Sequence, residues 1–257
     1  MLVALSLAAL AAPAAGDNLP IVEQSIAFHG GEVYARSEIS FKIVSRSGSF
    51  DAVVRHDGGR YRHAVTSETE EGLRTVVVTN DTVEVRVDGE PRPVPAEGER
   101  RWRDFVSARV WFPLLPFRLA DAGVRQRDLG LETWPATEAG GEPVTLHRVK
   151  VTFDAGGDEY LFWFDAETGR LEKLAYRFAG GLRFREAFGF RRVGGVLFAD
   201  HRNLGLDWDD AAEAMPVDVI DPRFVSERLA PISTIRLEDV EVTPLPAAPA
   251  AEATPGS

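Results

Sequence analysis

Residues 159–205 constrain the fold more than any other stretch of this chain. They read EYLFWFDAETGRLEKLAYRFAGGLRFREAFGFRRVGGVLFADHRNLG, four strand-like runs separated by glycine-containing turns. Tyr160, Phe162 and Phe164 share one face of the first run. Leu174, Tyr176 and Phe178 share one face of the run that returns after the Asp165–Gly169 turn. An Asp that can hydrogen-bond its own turn, followed by a Gly free to take positive φ, is a hairpin signal. In the third run Leu182, Phe184, Phe188 and Phe190 stand against Arg183, Arg185 and Arg191, and Gly194-Gly195 opens the fourth. A two-residue period with an aromatic face and a charged face predicts an antiparallel meander with one side wet.

The first half of the chain repeats the pattern. Ile39, Phe41 and Ile43 alternate with Ser40 and Lys42, and Phe50–His56 and Arg60–Thr66 flank the turn Asp57-Gly58-Gly59. Leu73–Thr79 and Val83–Val87 follow, and strands resume after Gly123, most clearly over Val144–Phe153. Ile232–Val242 is placed to complete the sheet. The expectation is a mainly β chain (α+β) of about ten or eleven strands with two or three helices and no tandem repeat.

Two helices interrupt the strands. The first runs from a cap at Asp17 or Asn18, with Pro20 in its first turn, to Gly30-Gly31. It places His29 at its C-terminal end, on the favourable side of the helix dipole. The second follows the proline-rich loop Pro91–Pro95 and spans Glu99–Val110, with Trp102, Phe105, Val106 and Val110 on one face. Trp111-Phe112-Pro113-Leu114-Leu115-Pro116-Phe117 comes next, too proline-interrupted to be helix and too apolar to sit in water. The Trp102–Phe117 segment is therefore expected to cover the apolar sheet face as a movable lid.

Chemistry-bearing motifs are missing from the sequence. It contains no phosphate-binding loop, dinucleotide fingerprint, H-E-x-x-H pair or G-x-S-x-G elbow. The five histidines are scattered, and a tight turn between His56 and His63 would set them about 10 Å or more apart, too far to share an ion. Asp207, Asp209 and Asp210 around Trp208 lack calcium-loop spacing. Neither a metal nor a cofactor is expected, and no enzyme. Glu186 falls in phase with Phe184 and Phe188, where burial would raise its pKa unless it is paired. It is turned by a bulge near Gly189 or paired with an Arg of a neighbouring strand, or else it is a polar contact at the lip or floor of a ligand cavity. The competing enzyme reading is a hydrolase that pairs Glu186 with Asp200 or Asp165.

The net charge of −11, from 40 acidic and 29 basic residues, argues against nucleic acid as partner. Residues 1–15, MLVALSLAALAAPAA, have the apolar core and A-x-A ending of a secretory signal peptide, so the expected location is the periplasm. Residues 16–243 then form one domain, and the Pro/Ala-rich residues 244–257 a disordered tail.

Four stretches together carry a family likeness: Ile26–Gly31 at the end of the first helix, Ile39-Ser40-Phe41, Phe164–Leu171, and Val193–Arg202. With these the chain resembles a family of exported bacterial proteins similar to the outer-membrane lipoprotein carriers and their receptors, the LolA/LolB-like proteins. The resemblance implies a curved antiparallel half-barrel of about eleven strands with helices plugging its concave face, and acyl chains as ligand. The chain has no cysteine, so the receptors' lipid-anchored cysteine has no counterpart. On this basis the expectation is a monomeric binding protein or carrier for a lipid or for lipoprotein acyl chains, with a lipoprotein or membrane-associated partner. Its cavity residues are expected to be Phe41, Trp102, Phe105, Trp111, Phe112, Phe162, Phe164, Tyr176, Phe178, Phe184, Glu186 and Phe188. The alternative is a structural or interaction domain whose aromatic face is filled core.

Overall fold

The computed structural model describes residues 18–57, 59–136, 141–154, 157–178, 181–205 and 216–246. The expected signal peptide, the acidic loop around Trp208 and all but the start of the expected tail lie outside the described residues.

Two short helices, α1 (Pro20–His29) and α2 (Gly31–Tyr34), precede six strands. These are β1 (Ser37–Ser45), β2 (Gly48–Asp57), β3 (Arg60–Thr69), β4 (Gly72–Thr79), β5 (Val83–Val87) and β6 (Glu90–Arg92). Helix α3 (Ala96–Val110) separates them from β7 (Val124–Trp134), β8 (Val144–Phe153), β9 (Glu159–Asp165), β10 (Leu171–Phe178), β11 (Gly181–Val193) and β12 (Val196–Gly205). Helix α4 (Pro222–Arg228) and β13 (Ala230–Pro244) complete the described chain.

All strands belong to one antiparallel sheet in the order β6-β5-β4-β3-β2-β1-β13-β12-β11-β10-β9-β8-β7, so it has 13 strands rather than about eleven. One that the sequence conceals is β6, inside the proline-rich stretch assigned to loop. Pro91 is admissible there because an edge strand needs no donor on its outer side. Strand β13 does not close the sheet at an edge. It enters the middle, pairing Ile43 with Leu237 on one side and His201 with Ile235 on the other. The sheet remains open, with β6 and β7 as its edges. The strand also outlasts its expected end: Leu245 N–H donates to the Arg36 carbonyl at 2.7 Å, so the start of the supposed tail is part of the sheet.

The sheet curls around α3 and the segment after it. Trp102 packs near Arg74 of β4, 5.5 Å from guanidinium to ring, while Trp111 lies 4.8 Å from the Tyr160 ring of β9. Eight strand spacings separate β4 from β9, roughly 38 Å in a flat sheet. Nine residues of helix span only about 14 Å. Both contacts exist only because the two wings bend toward each other.

Three clusters fill the molecule. The first joins β1–β5 to Val106, Val110, Leu114 and Phe117. The second sets Trp111, Phe112, Leu115 and Leu119 with Ile21 and Val22 of α1 against Tyr160, Phe162, Phe164, Leu174 and Tyr176. The third lies on the other side of the same strands, where Leu161, Trp163, Ala175, Leu182 and Phe184 meet Trp134, Val217 and Ile220. The expectation of one wet side therefore fails for the second wing. The run Tyr160-Leu161-Phe162-Trp163-Phe164 is buried on both faces, as five consecutive apolar residues in a strand require.

Helix α1 begins at Leu19 without a side-chain cap, not at Asp17 or Asn18 as expected, and the Asn18 amide oxygen instead accepts from Gln126 Nε2 at 2.8 Å. Its end is as expected. Gly30 takes φ 96°, and a methyl group built on it would lie 2.4 Å from the Gly195 carbonyl oxygen. Two glycine turns far apart in sequence are thus in backbone contact.

Candidate functional site

Three features of sequence place the plug. The prolines of Pro91–Pro95 prevent helix until Ala96, the apolar stripe of α3 turns toward β3–β5, and Pro113 and Pro116 stop the helix over β9 and β10. Trp111, Leu114 and Leu119 are almost fully buried as a result. Withdrawing Trp111, Phe112 and Phe117 alone would expose roughly 450–750 Å², a cost of about 15 kcal/mol, comparable to the whole stability of a domain. The Trp102–Phe117 segment thus covers the apolar sheet face as expected, packed there as a plug.

The plug does not fill the hollow completely. Beside the last turn of α3 lies a cavity of about 240 Å³, bounded by Ile43, Ser45, Ser47, Phe50, Ala108, Arg109, Phe112, Pro113, Arg185, His201, Ile235 and Leu237. Its walls come from β1, β2, β11, β12, β13 and the corner where α3 ends, and exposed Ser47 stands at the rim. At about 30 Å³ per water it exceeds a few solvent molecules, yet it falls short of the roughly 300–1,000 Å³ typical of ligand pockets. A separate space of about 20 Å³, room for a single water, lies behind Phe112, Pro113 and His201, bordered also by His29, Ala187, Leu197 and Phe198.

The lining is apolar with a basic belt. Arg185, 9% exposed, stacks over the Phe112 ring at 3.7 Å and donates through Nη2 to the Tyr176 hydroxyl at 3.2 Å. Arg109 lies over Phe105 at 3.7 Å and Phe50 at 4.2 Å and donates through Nη1 to the Phe105 carbonyl at 2.8 Å. Burial lowers the Arg109 pKa to about 10. Burial first, and the Arg185 charge second, push His201 down to about 3, so it faces the cavity neutral at pH 7. No lining residue is acidic.

Of the residues expected to line a cavity, Phe112 does so. Phe41, Trp102 and Phe105 pack in the first-wing core, whereas Trp111, Phe162, Phe164, Tyr176 and Phe178 pack in the second. The structure separates Phe184, Glu186 and Phe188 from that group. Phe184 pairs with Ala175, whose side chain points away from the Leu174 and Tyr176 face, and both join the cluster on the opposite side of the sheet. In β11 it is Arg185 that faces inward, a residue the aromatic periodicity hides.

Glu186 sits on that opposite side between Lys173 Nζ at 2.5 Å and Arg202 Nη1 at 3.1 Å. Burial raises its pKa, the two cations more than offset this, and the net value lies below the usual carboxylate range. The expected neighbouring-strand Arg is thus Arg202 of β12, Lys173 of β10 joins it from the other side, and the expected bulge near Gly189 falls between Phe188 and Arg191. Asp200 pairs with Arg191 at 3.1 Å, and Asp165 caps its own turn through the Thr168 N–H and hydroxyl. None of the three carboxylates lines either cavity. The histidine expectation is overturned. His56 pairs with Tyr61, which puts His63 only two residues along, and the two Nε2 atoms lie 3.0 Å apart with the Tyr34 hydroxyl 2.8 Å from that of His56. Burial depresses both imidazoles, His56 to about 3. Among the described residues no group of three or more His, Asp or Glu is placed to hold a metal.

No family model and no curated protein matches this chain. In solved structures the chain is similar to a LolA superfamily protein from Nitrosomonas europaea, with 12% identity, a TM-score of 0.49, and coverage of 88% of this chain and 93% of that one. It is also similar to a chain of the MucA/MucB complex from Pseudomonas aeruginosa, at 12% identity and a TM-score of 0.26 over 72% of this chain and 76% of that one. At these identities the likeness concerns fold alone, and no ligand or partner follows from it. No helix among the described residues is long and apolar enough to cross a membrane.

Proposed function

We propose that this chain is an exported, periplasmic binding protein or carrier for a hydrophobic ligand, one acyl chain of which enters the concave side of the sheet beside α3. The observation that carries the reading is the cavity of about 240 Å³ between the end of α3 and the central strands. Apolar walls from Ile43, Phe50, Phe112, Ile235 and Leu237 favour a chain over a polar solute at roughly 25 cal/mol per Å² buried. The space suits part of one chain, and a ligand with several chains would need Phe112 and Pro113 to shift. Export rests on residues 1–15 and is checked by sequencing the N-terminus of the mature protein from its host.

Binding is tested with Ala108→Phe, which adds a ring to the cavity without removing a core contact. Titration of a lysophospholipid or fatty acid is followed through Trp111, whose ring lies 5.0 Å from that of Phe112. Wild type is expected to show a saturable change that is absent in Trp111→Phe, and Ala108→Phe to bind at least tenfold more weakly with unchanged melting temperature. Equal binding by Ala108→Phe, or none by wild type, sinks the reading in favour of a filled structural domain.

A further inference from the structure

The cavity carries a charge that the apolar-ligand reading leaves unexplained. Removing a guanidinium from water costs several kcal/mol unless hydrogen bonds and a counter-charge compensate. Arg185 is nine-tenths buried and lines the cavity, yet among the described residues no carboxylate pairs with it, and its Nε has no partner. Arg109 is in the same condition from the other wall: its Nε is unpartnered, and its one hydrogen bond goes to a carbonyl of its own helix. An unpartnered Nε also occurs at Arg118, Arg148 and Arg177, so what sets Arg185 and Arg109 apart is the missing carboxylate among the described residues. Arg118 is matched by Asp121 at 2.5 Å, and Lys173 by Glu186.

The rings hold both guanidiniums in place. Phe112 lies against one face of Arg185, and Phe105 and Phe50 against Arg109. Aromatic stacking of this kind engages the guanidinium plane and leaves its edge N–H groups free to donate. Ser45 and Ser47, on the same lining, hydrogen-bond each other through their hydroxyls at 2.8 Å near the rim. His201 is neutral and so does not compete as a cation. The arrangement is two ring-stacked guanidiniums, each with one N–H group engaged and the Nε free, beside an apolar space, with no anion supplied by the lining itself.

We propose that the cavity recognises the acidic headgroup of a single-chain amphiphile, a carboxylate or phosphate, between Arg185 and Arg109, with the start of the chain lying along the apolar wall of Phe112 and Pro113. This rests on the proposed binding of an acyl chain and adds the headgroup class. A planar or tetrahedral oxyanion matches the guanidinium fork, and charge-assisted bonds in a dry site are the strong kind.

The test compares ligands with one chain length and different heads: palmitate, lysophosphatidic acid with a palmitoyl chain, hexadecanol, and inorganic phosphate alone. Palmitate or the lysophosphatidic acid is expected to bind at least tenfold more tightly than hexadecanol, and phosphate alone weakly. The better of the two acids identifies the headgroup. Arg185→Gln and Arg109→Gln are each expected to weaken the acid by roughly 10–100-fold, as for a lost charge-assisted bond, and to leave hexadecanol within about twofold. Arg109 is the half-buried partner, so its variant remains informative should Arg185→Gln melt early. Equal binding of acid and alcohol, or an unchanged acid affinity in both variants, overturns the headgroup assignment while leaving chain binding intact. Tight phosphate binding without a chain overturns it in favour of a soluble anion. Loss of all binding in wild type strikes the acyl-chain reading itself.

Discussion

Acidification from pH 7 to pH 4 is expected to remove most of the stability of this fold. Burial depresses His29 to about 4, His56 and His201 to about 3, and His63 well below its ordinary value. The unfolded chain takes up protons near 6.5, whereas the folded chain keeps these rings neutral. Their contribution is therefore complete above pH 6.5 and is lost as the pH falls toward the folded values. Each such histidine adds a slope of roughly 1.4 kcal/mol per pH unit. His29 and His63, both 4% exposed, carry the effect with least solvent screening. Asp158 works in the opposite direction, since burial raises it to about 6 and its protonation favours the folded state as the pH falls. Asp104 and Asp121, also raised by burial, act in the same sense as Asp158, whereas Asp128, Glu186 and Asp218, held low by their partners, act with the histidines, so the net effect is a loss toward pH 4. Thermal melts at pH 7, 5.5 and 4 should show a steep decline, and His29→Gln a shallower one. A melting temperature that is flat over this range would show that the imidazoles are solvated.

Gly30→Ala is expected to be the most damaging small substitution. The added methyl meets the Gly195 carbonyl oxygen at 2.4 Å, and no rotamer can relieve a contact between two backbones. The residue also sits at φ 96°, where a side chain is strained whatever the space. A loss of about 3 kcal/mol or more is expected, or roughly 10 °C in melting temperature for a chain of this size. Gly48→Ala is the control: its φ is 119° but nothing lies within 4 Å, so only the conformational cost of about 1 kcal/mol applies. Equal melting of the two variants would mean that α1 and the β11–β12 turn separate without penalty.

Strand identity was legible where the two-residue period is clean, as in Val83–Val87 and Phe41–Ile43. It was less so for Tyr160–Phe164, where five apolar residues in a row already signal two dry faces and the attention given to alternate aromatics obscured it. The position of β13 was not legible, because nothing in Ile232–Val242 says which edges it joins. The site was hidden for a related reason. A cavity is defined by what fails to fill it, and its chemistry comes from Arg185 and Arg109, residues that look like solvated charges in a strand and a helix. The histidine pair failed on register: the Asp57–Arg60 pairing brings His63 diagonally opposite to His56, where the expected offset was longer.

Strand β13 gives the molecule a chronology. The wing from β1 to β6 and the wing from β7 to β12 are each built from neighbouring hairpins and can pair as soon as they are synthesised. The seam between them cannot, because β1 waits about two hundred residues for its second partner. Until β13 arrives, β1 and β12 are open edges, which natural sheets avoid because they recruit other chains. A chain cut before Ala230 would then be prone to self-association, although most of its hairpins are present. The cavity belongs to the same late event, since Ile235 and Leu237 of β13 form part of its wall. The proposed ligand recognition would thus arise only once β13 is in place, because two of its residues wall the cavity.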